Sequence, residues 1–248
     1  MTKTFSNEQE YLQHYNIHDY DVPLVSVDIA LFTLLDEQLQ VLLVKRADYP
    51  HKNRWSLPGG FINPQQDTDL LATARRKLME KTGVEITHLE QVETIGHSKR
   101  DPRGWSITVL YMALIPHSPA KAIIDTVSDS RWWPLDSALK QRLAFDHKQL
   151  ITQAQDRLRT KTGYTVLPAY IIDAPFTLTQ LQQAFEQLLG KNLEKKSFRR
   201  RILAADVLEE AGAALPQGGR GRKAVWYRPR QGSEQHAFLR VFGLADDL

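Results

Sequence analysis

Three charged residues with helical spacing make up the first group that could do chemistry. Lys77, Glu80 and Lys81 stand at positions i, i+3 and i+4, so on a helix their side chains project from one side. A divalent metal such as Mg²⁺ requires oxygen ligands, and each unit-charge contact at ~4 Å is worth about 4 kcal/mol at an effective dielectric of ~20. One carboxylate therefore cannot hold the metal against two ammonium groups. The group predicts recognition of an anion, and its plain alternative is a solvated helix face.

Two arginines in the segment RDPRG, at 100–104, form a second cationic group. Arg100 and Arg103 lie between two predicted strands, and an arginine can hold a phosphate with two N–H groups at once. A turn with solvated charges is the alternative. Residues that flank the LPGG segment at 57–60 are further candidates, although sheet packing would equally explain them. The full set of candidate ligand contacts is Arg54, Trp55, Phe61, Lys77, Glu80, Lys81, Arg100 and Arg103.

The third group is a concentration of positive charge toward the C-terminus. The whole chain has a net charge of +3, but residues 191–230 hold 11 lysines and arginines against 4 aspartates and glutamates. A basic surface gains affinity for nucleic acids by releasing counterions from their phosphates. The pattern therefore favours a nucleic-acid partner, although a membrane surface or an acidic protein could use the same charge.

Two helices and a hairpin are predicted around this basic segment. Thr177 and Gln180 match a capping box, and Gly190 would end the helix that it begins. A second helix begins near Leu193, and a glycine-rich basic turn and a strand-like segment at 224–227 follow it. The apolar stripe of the second helix is predicted at Phe198, Ile202, Ala205 and Leu208. Two helices followed by a basic hairpin describe a winged helix-turn-helix.

The polar face of the second helix is predicted to read double-stranded DNA. Lys196 and Arg200 point away from the apolar stripe and are expected in the major groove. Arg201 lies nearer the stripe and is expected on a phosphate or an acidic neighbour. Wing residues would contact phosphate or the minor groove. The candidate DNA contacts are Thr179, Gln180, Lys195, Lys196, Ser197, Arg199, Arg200, Arg201, Arg220, Arg222 and Lys223.

The elements before residue 145 must position the first two groups. Apolar runs at 22–35 and 39–46 predict a hairpin, and further strands are predicted at 84–96, 105–115 and 131–135. The spacing of apolar residues predicts a helix over 69–81 that ends at Gly83. Asp146 is a plausible N-cap for a helix that would connect this region to the winged helix. The first region is therefore predicted to be α+β with a mixed sheet.

The whole-chain composition excludes several classes of protein. The 248 residues suffice for two packed domains, and the absence of cysteine excludes disulfides, thiolate nucleophiles and cysteine-type zinc sites. No apolar run approaches the roughly 20 residues that span a bilayer, and the N-terminus lacks the apolar core of a signal peptide. We therefore expect a cytoplasmic protein that does not enter membranes.

The segment from Gly60 to Val84 resembles the signature of the Nudix hydrolases, G-x5-E-x7-R-E-U-x-E-E-x-G-U. The positions that agree are Gly60, Arg76, Leu78, Glu80, Gly83 and Val84. Lys77 and Lys81 stand where two metal-binding glutamates of the family would be. The interval from Gly60 to Arg76 is two residues longer than the pattern, and its early glutamate has only Gln66, Asp67 and Asp69 as nearby candidates. The resemblance therefore implies the fold, without the means of hydrolysis.

The order of the motifs resembles the Nudix-related transcriptional regulators of NAD metabolism, the NrtR family. The matching segments are LPGGF at 57–61, RDPRG at 100–104, LAFDH at 143–147, FTLTQLQ at 176–182 and KKSFRRR at 195–201. The resemblance implies a Nudix-like α/β/α sandwich at 1–145, a connector helix at 146–162 and a winged-helix domain at 163–248. It also implies a homodimeric repressor of NAD-biosynthesis or salvage genes. Its affinity for operator DNA would fall when ADP-ribose or a related nucleotide binds as effector.

Two other classes of function stay open on the sequence alone. One is an active Nudix pyrophosphohydrolase of ADP-ribose-like substrates, against which Lys77 and Lys81 argue. The other is a non-enzymatic RNA-binding or scaffold protein, because basic winged helices also bind RNA and proteins. We expect no catalytic residue, no metal site and no required cofactor.

Overall fold

The computed structural model describes residues 5–86, 89–121, 123–213 and 225–242. Its helices are α1 (Glu8–His14), α2 (Leu70–Thr82), α3 (Leu135–Lys140), α4 (His147–Tyr164), α5 (Leu178–Leu189) and α6 (Lys195–Ala204). Its strands are β1 (Leu24–Leu35), β2 (Gln38–Arg46), β3 (Trp55–Ser56), β4 (Gly59–Phe61), β5 (Glu90–Asp101), β6 (Gly104–Leu114), β7 (Val127–Pro134), β8 (Leu208–Ala213) and β9 (Val225–Pro229).

The first region is built on a mixed sheet, as the sequence predicts. Its strand order is β3-β2-β1-β6-β5, with β4 paired to β1 and β7 paired to β2. Strands β1 and β6 run parallel, and the other pairs are antiparallel. Successive side chains of a strand point to opposite faces. Val27, Ile29 and Leu31 therefore pack toward α2, and Ala30 and Phe32 belong to the core on the α4 side. The result is an α/β/α sandwich.

Helix α2 begins and ends where the sequence predicts. The Asp69 side chain accepts a hydrogen bond from the backbone N–H of Ala72, which caps the helix start. Gly83 adopts the left-handed conformation, with φ of 68°, and its N–H donates to the carbonyl of Met79. Ala74 and Leu78 are buried against the sheet. This packing fixes the orientation of α2, so that Lys77 and Lys81 lie on its side nearest β1 and β4.

Strand β5 differs from its prediction. We predict a strand at 84–96, but β5 spans Glu90–Asp101 and therefore includes Arg100 and Asp101, the first two residues of the RDPRG motif. Residues 98–101 are polar and favour a loop by composition, but pairing with β6 at Asp101 and Gly104 keeps them extended. A two-residue turn at 102–103 joins the strands. The two arginines of the motif are consequently held on a hairpin rather than on a free loop.

The second region has the predicted helices and hairpin. The capping box is present at Thr177 and Gln180, and Gly190 ends α5 in the left-handed conformation. Strands β8 and β9 pair antiparallel. Helix α6 is shorter than predicted, so that Leu208 is the first residue of β8 and not part of the helical stripe. Phe198 and Ile202 are buried in the core of this region, as predicted.

Helix α4 packs against both regions. Leu150, Ile151, Ala154 and Leu158 are buried in the core that contains the β6 residue Leu110. The α5 residues Ala184 and Leu188 belong to the same core, so α4 joins the sheet to the winged helix through continuous apolar contact. Asp146 lies at the N-cap of α4 but makes no side-chain capping bond, contrary to the prediction. Within the described ranges, no helix is both long and apolar enough to cross a bilayer.

Candidate functional site

A cavity of about 370 Å³ opens beside the LPGG segment. Its walls come from β1, β2, β4, the end of α2, the β5–β6 hairpin and the segment before α4. Gly59 allows this close packing, because a Cβ there would lie 2.3 Å from the carbonyl oxygen of Val27. The cationic side chains that line the cavity are those of Arg46, Lys77, Lys81, Arg100 and Arg103. The carboxylates that line it belong to Asp28, Asp48 and Asp101.

Two lysines extend from α2 to the cavity. The stem of Lys77 lies against Gly60, and its Nζ donates to Glu80 at 3.1 Å. Lys81 is partly buried, and this burial lowers the pKa of Lys81 from 10.5 to about 8, an effect that the nearby Asp28 carboxylate opposes. With a pKa of about 8, the Lys81 ammonium is mostly charged at neutral pH. An anionic ligand that entered the cavity would therefore meet two positive charges at the end of α2.

An ion-pair chain runs along the cavity wall from β1 to α4. Arg100 is almost wholly buried; its Nη2 donates to Oδ2 of Asp28 at 2.6 Å, and its Nε lies 3.0 Å from Oδ2 of Asp146. His147 accepts a hydrogen bond at Nδ1 from the backbone N–H of Leu57, at 2.8 Å. Burial keeps the pKa of His147 below its ordinary value, so that its ring is neutral at pH 7. Strand β1, the LPGG segment and the start of α4 thus meet here.

Arg103 and Phe61 stand together on the cavity wall. The Arg103 guanidinium lies 4.8 Å from the centre of the Phe61 ring and pairs with Asp101. Hydrogen bonds to that carboxylate raise the pKa of Arg103. On the opposite side, Arg46 stacks over Phe145 at 5.0 Å, and burial lowers the pKa of Arg46. Aromatic faces beside guanidinium groups suit a ligand that has both flat and anionic parts.

The second candidate site is the outer face of α6. Lys195, Lys196 and Arg200 are exposed, and within the described ranges none of them forms an ion pair. The Glu194 carboxylate accepts hydrogen bonds from the backbone N–H groups of Lys196 and Ser197, which caps the helix. Phe198 and Ile202 bury the inner face. The helix is therefore anchored on one side and presents unneutralised positive charge on the other.

Comparison with known proteins identifies both regions. A family model of the NUDIX domain matches residues 25–154, and one of the NrtR DNA-binding winged helix domain matches residues 168–228. The ADPR responsive transcriptional repressor NtrR of Acinetobacter baylyi is 50% identical over 216 residues, which cover 87% of this chain and 86% of that protein. The chain belongs to the NrtR family.

Solved structures of the NrtR family agree with the fold. Shewanella oneidensis NrtR complexed with a 27mer DNA aligns with a TM-score of 0.79 at 46% identity, over 88% of this chain and 98% of that chain. The NUDIX domain of the same protein, complexed with ADP ribose, aligns with a TM-score of 0.60 at 48% identity, over 61% of this chain and 99% of that chain. The family resemblance and the α+β fold class predicted from sequence motifs are confirmed.

The cavity of this NrtR family member contains five of the eight predicted ligand contacts. These are Phe61, Lys77, Lys81, Arg100 and Arg103. The other three lie elsewhere. Trp55 turns to the opposite face of β3 from the cavity residue Ser56, and packs edge-on against Trp133. Arg54 does not line the cavity, and its backbone bonds to Arg46 and His51. Glu80 also lies outside the lining, where it pairs with Arg76 and Lys77.

The carboxylates around α2 have structural roles. Asp67 pairs with Arg76 at 2.6 Å, and the hydrogen bonds from Arg76 hold the pKa of Asp67 well below its ordinary range. Asp69 caps α2. Both carboxylates are therefore engaged within the protein. Across the part of the chain that the structure describes, no three His, Asp or Glu side chains converge as metal ligands would.

Several predicted DNA contacts are already engaged within the protein. Arg201 lies 3.8 Å from the centre of the Phe242 ring and donates to the backbone carbonyls of Val241 and Arg240, and its contact with a phosphate or an acidic neighbour stays a prediction. The Gln180 side chain completes the capping box. Thr179 on α5 accepts a hydrogen bond from the guanidinium of Arg199 on α6, at 3.1 Å. The predicted wing contacts Arg220, Arg222 and Lys223 lie outside the described residues.

Sequence reasoning missed several residues of this site, among them Asp28, Arg46 and His147 in the cavity wall and Asp146 beside it. Asp28 and Arg46 sit inside apolar strands, where nothing in the local pattern marks them as site residues. Asp146 and His147 belong to the LAFDH segment, which matched the NrtR family, but only a helix cap was predicted there. That segment was the available signal. Its acidic and imidazole side chains both face the ion-pair chain.

Proposed function

We propose that this NrtR family member is a transcriptional repressor that responds to ADP-ribose. It binds operator DNA through α6 and the wing, and it binds ADP-ribose in the cavity of the Nudix domain. The Acinetobacter baylyi relative is described as an ADPR responsive transcriptional repressor, and the two Shewanella oneidensis structures contain DNA and ADP ribose. A nucleotide-sensing domain and a DNA-binding domain in one chain are what such a regulator requires.

The observation that carries the effector assignment is the charge of the cavity wall. Five cationic side chains face three carboxylates there, which leaves an excess of positive charge. The diphosphate of ADP-ribose is an anion that such a wall attracts. The Phe61 and Phe145 rings offer apolar surfaces to its ribose and adenine parts. Lys77 and Lys81, which both line the cavity, would contact the diphosphate and replace the metal ions that Nudix hydrolases use.

We propose further that the domain recognises the diphosphate without cleaving it. Hydrolysis of a diphosphate needs a cation to polarise the bond under attack, and a catalytic metal needs several carboxylate ligands. Two of the signature glutamates are lysines here, and Glu80 is paired with Arg76 and Lys77. No cofactor is then required, and ADP-ribose is an effector rather than a substrate.

Repression of this kind requires a particular assembly. A homodimer would present two copies of α6, and these would match half-sites about one helical turn apart on the operator. ADP-ribose would change the placement of the two winged helices, so that they no longer fit this spacing. The regulated genes are those of NAD biosynthesis or salvage, since ADP-ribose is a breakdown product of NAD. A repressor of chromosomal genes acts in the cytoplasm.

Fluorescence anisotropy on labelled operator DNA tests the proposal directly. We expect the affinity for operator to fall at least fivefold at saturating ADP-ribose, within the usual range of allosteric coupling. Calorimetric titration of ADP-ribose should give the same affinity in EDTA as in Mg²⁺. An operator affinity that ADP-ribose leaves unchanged would contradict effector sensing. Magnesium-dependent release of phosphate-containing products would instead favour the pyrophosphohydrolase.

A further inference from the structure

The ion-pair chain Asp28–Arg100–Asp146 connects the cavity to the helix that carries the winged helix. Asp28 lies on β1, Arg100 on β5, and Asp146 at the N-cap of α4. The Arg100 side chain is 4% exposed, so this guanidinium interacts with its two carboxylates away from water. Arg100 also lines the cavity. An anionic ligand in the cavity and the Asp146 carboxylate would therefore compete for the Arg100 guanidinium.

Asp146 has a second partner available at its own helix. Aspartate is among the preferred N-cap residues, because its carboxylate can accept hydrogen bonds from the first free N–H groups of a helix. Here the side chain makes no capping bond, and its Oδ1 is buried without a hydrogen-bond partner in the described part of the chain. The carboxylate can thus either pair with Arg100 or cap α4. Two discrete arrangements are what a switch requires.

Phe145 provides a hinge directly before the cap. Its backbone φ is 49°, a left-handed conformation that is unfavourable for a residue other than glycine. The ring lines the cavity, and its centre lies 4.7 Å from that of the His51 ring and 5.0 Å from the guanidinium of Arg46. The contacts of its ring therefore stabilise a strained backbone conformation at Phe145, directly before α4. A ligand that moved this ring would release it.

The far end of α4 is bound to the same strand. Arg157 and Lys161 both pair with Glu90, the first residue of β5, at 2.6 Å and 2.7 Å. Arg100 lies near the other end of β5. Helix α4 is thus clamped to β5 at both ends, and its apolar face packs on α5. Loss of the clamp at the cavity end would let α4 pivot about the other end and carry α5 with it.

We propose that the Arg100–Asp146 pair is the switch through which occupancy of the cavity reaches the DNA-binding helices. This inference rests on the proposed function. When Arg100 holds Asp146, the protein is in its operator-binding state. A diphosphate beside Arg100 repels both carboxylates and competes for the guanidinium. Asp146 then leaves Arg100 and caps α4, and the helix moves relative to the sheet. Asp146 and Arg100 are positioning residues of this response.

Asp146→Asn separates the two arrangements. Asparagine has the same shape and is an equally good N-cap, so the variant keeps the means to begin α4 but loses the charge that binds Arg100. We expect its operator affinity without ligand to fall at least fivefold, toward that of the ligand-saturated wild type. ADP-ribose should then change it by less than about twofold. The affinity for ADP-ribose should rise a few-fold, because the competing state is less populated.

Two further variants keep the test decisive. Asp156→Asn makes the same chemical change at an exposed position on α4, and it should leave every affinity at the wild-type value. Asp146→Ser also caps the helix without a charge, and it should reproduce the response of Asp146→Asn. Operator anisotropy and ADP-ribose calorimetry on the full-length proteins supply all the values.

Three outcomes would overturn the switch while leaving the proposed function intact. One is that ADP-ribose lowers the operator affinity of both Asp146 variants by the same factor as that of the wild type. Another is a loss of ADP-ribose affinity of more than about tenfold, which would place Asp146 in the ligand site itself. The third is an equal loss of coupling in Asp156→Asn. If the wild-type protein itself fails to bind ADP-ribose or operator, the proposed function fails instead.

Discussion

The cavity and the outer face of α6 both concentrate positive charge, but they hold it differently. In the cavity, Arg100 and Arg103 are matched by carboxylates at 2.6 Å, and Lys77 is matched by Glu80. On α6, Lys195, Lys196 and Arg200 face solvent without an ion pair in the described ranges. A buried cation needs a partner, so a ligand binds there by exchanging partners, and this can move the protein. An exposed cation binds phosphate by releasing counterions, and the protein need not change.

The largest expected effect is on α6. Lys196→Ala combined with Arg200→Ala removes the two charges expected in the major groove, and we expect operator affinity to fall at least ~100-fold. The slope of log affinity against log salt should also decrease by about two, because two fewer phosphates or base edges are contacted. Operator anisotropy over a salt series measures both changes. ADP-ribose affinity should not change, because the cavity shares no residue with this face.

A matched control separates specific contacts from net charge. Lys140→Ala combined with Lys148→Ala removes two exposed lysines from the Nudix side of the molecule. This variant should keep operator affinity within about threefold of the wild type. If both double variants lost affinity equally, the charge of α6 would act only through the overall field of the protein.

The next effect sharpens the contrast at the cavity. Lys77→Glu combined with Lys81→Glu restores the carboxylates of the Nudix signature, and we expect ADP-ribose affinity in EDTA to fall at least ~30-fold, because like charges now face the diphosphate. Mg²⁺ should recover part of the loss, since three carboxylates can hold the cation. Calorimetry in EDTA and in Mg²⁺ measures both. Lys140→Glu combined with Lys148→Glu is the control of equal charge, and unchanged binding in both variants would exclude the α2 lysines as contacts.

A third effect depends on pH. Burial lowers the pKa of Lys81 to about 8, and a bound diphosphate favours the charged ammonium and so raises this pKa. ADP-ribose affinity should therefore be constant below pH 8 and should decrease as the pH rises further. We expect a fall of about tenfold between pH ~7 and ~9.5. Calorimetry in matched buffers should also detect proton uptake on binding near pH 8.

The residue responsible for this pH dependence is identified by substitution. Lys81→Met keeps an unbranched side chain without the titrating group, and it should bind ADP-ribose weakly and equally from pH ~7 to ~9.5. Lys77→Met should bind more weakly than the wild type but keep the decrease above pH 8. A flat profile in the wild type would mean that Lys81 is not near the diphosphate.

The smallest effect concerns stability. Thr177→Ala removes the hydroxyl that caps α5, and it should lower the free energy of unfolding by about 1 kcal/mol. A decrease of about 2–4 °C in the melting temperature is expected for a chain of this length. Thr160→Ala, at an exposed position within α4, is the control and should change the melting temperature by less. ADP-ribose affinity should be the same in both variants.

Local patterns predicted much of the fold because the forces that decide it are local. The capping box at Thr177 and Gln180 and the left-handed glycines at 83 and 190 lie where backbone chemistry demands them. The basic face of α6 followed from helical periodicity, since its opposite face is anchored by Phe198 and Ile202. In such elements, a residue's neighbours in the sequence are its neighbours in space.

The cavity was less predictable because its partners are distant in sequence. Arg100 meets Asp28 across 72 positions and Asp146 across the sheet, so no local pattern could show that its charge is already matched. The orientation of Trp55 depended on which face of a two-residue strand met the cavity. The C-terminal end of β5 was predicted at residue 96 instead of 101, because pairing with β6 outweighs the polar composition of residues 98–101.

The apolar core that α4 shares with Leu110 of the sheet and Leu188 of α5 restricts how this protein can be re-engineered as a biosensor. A chimaera that exchanged only its winged helix would leave Leu158 packed against foreign side chains. The response to ligand would then be lost, because α4 and the new helix would no longer be complementary. New operator specificity is better introduced by changing the solvent-facing side chains of α6, with the contact between α4 and α5 left intact. The Nudix domain then keeps the α4–α5 contact through which it acts on the DNA-binding helices.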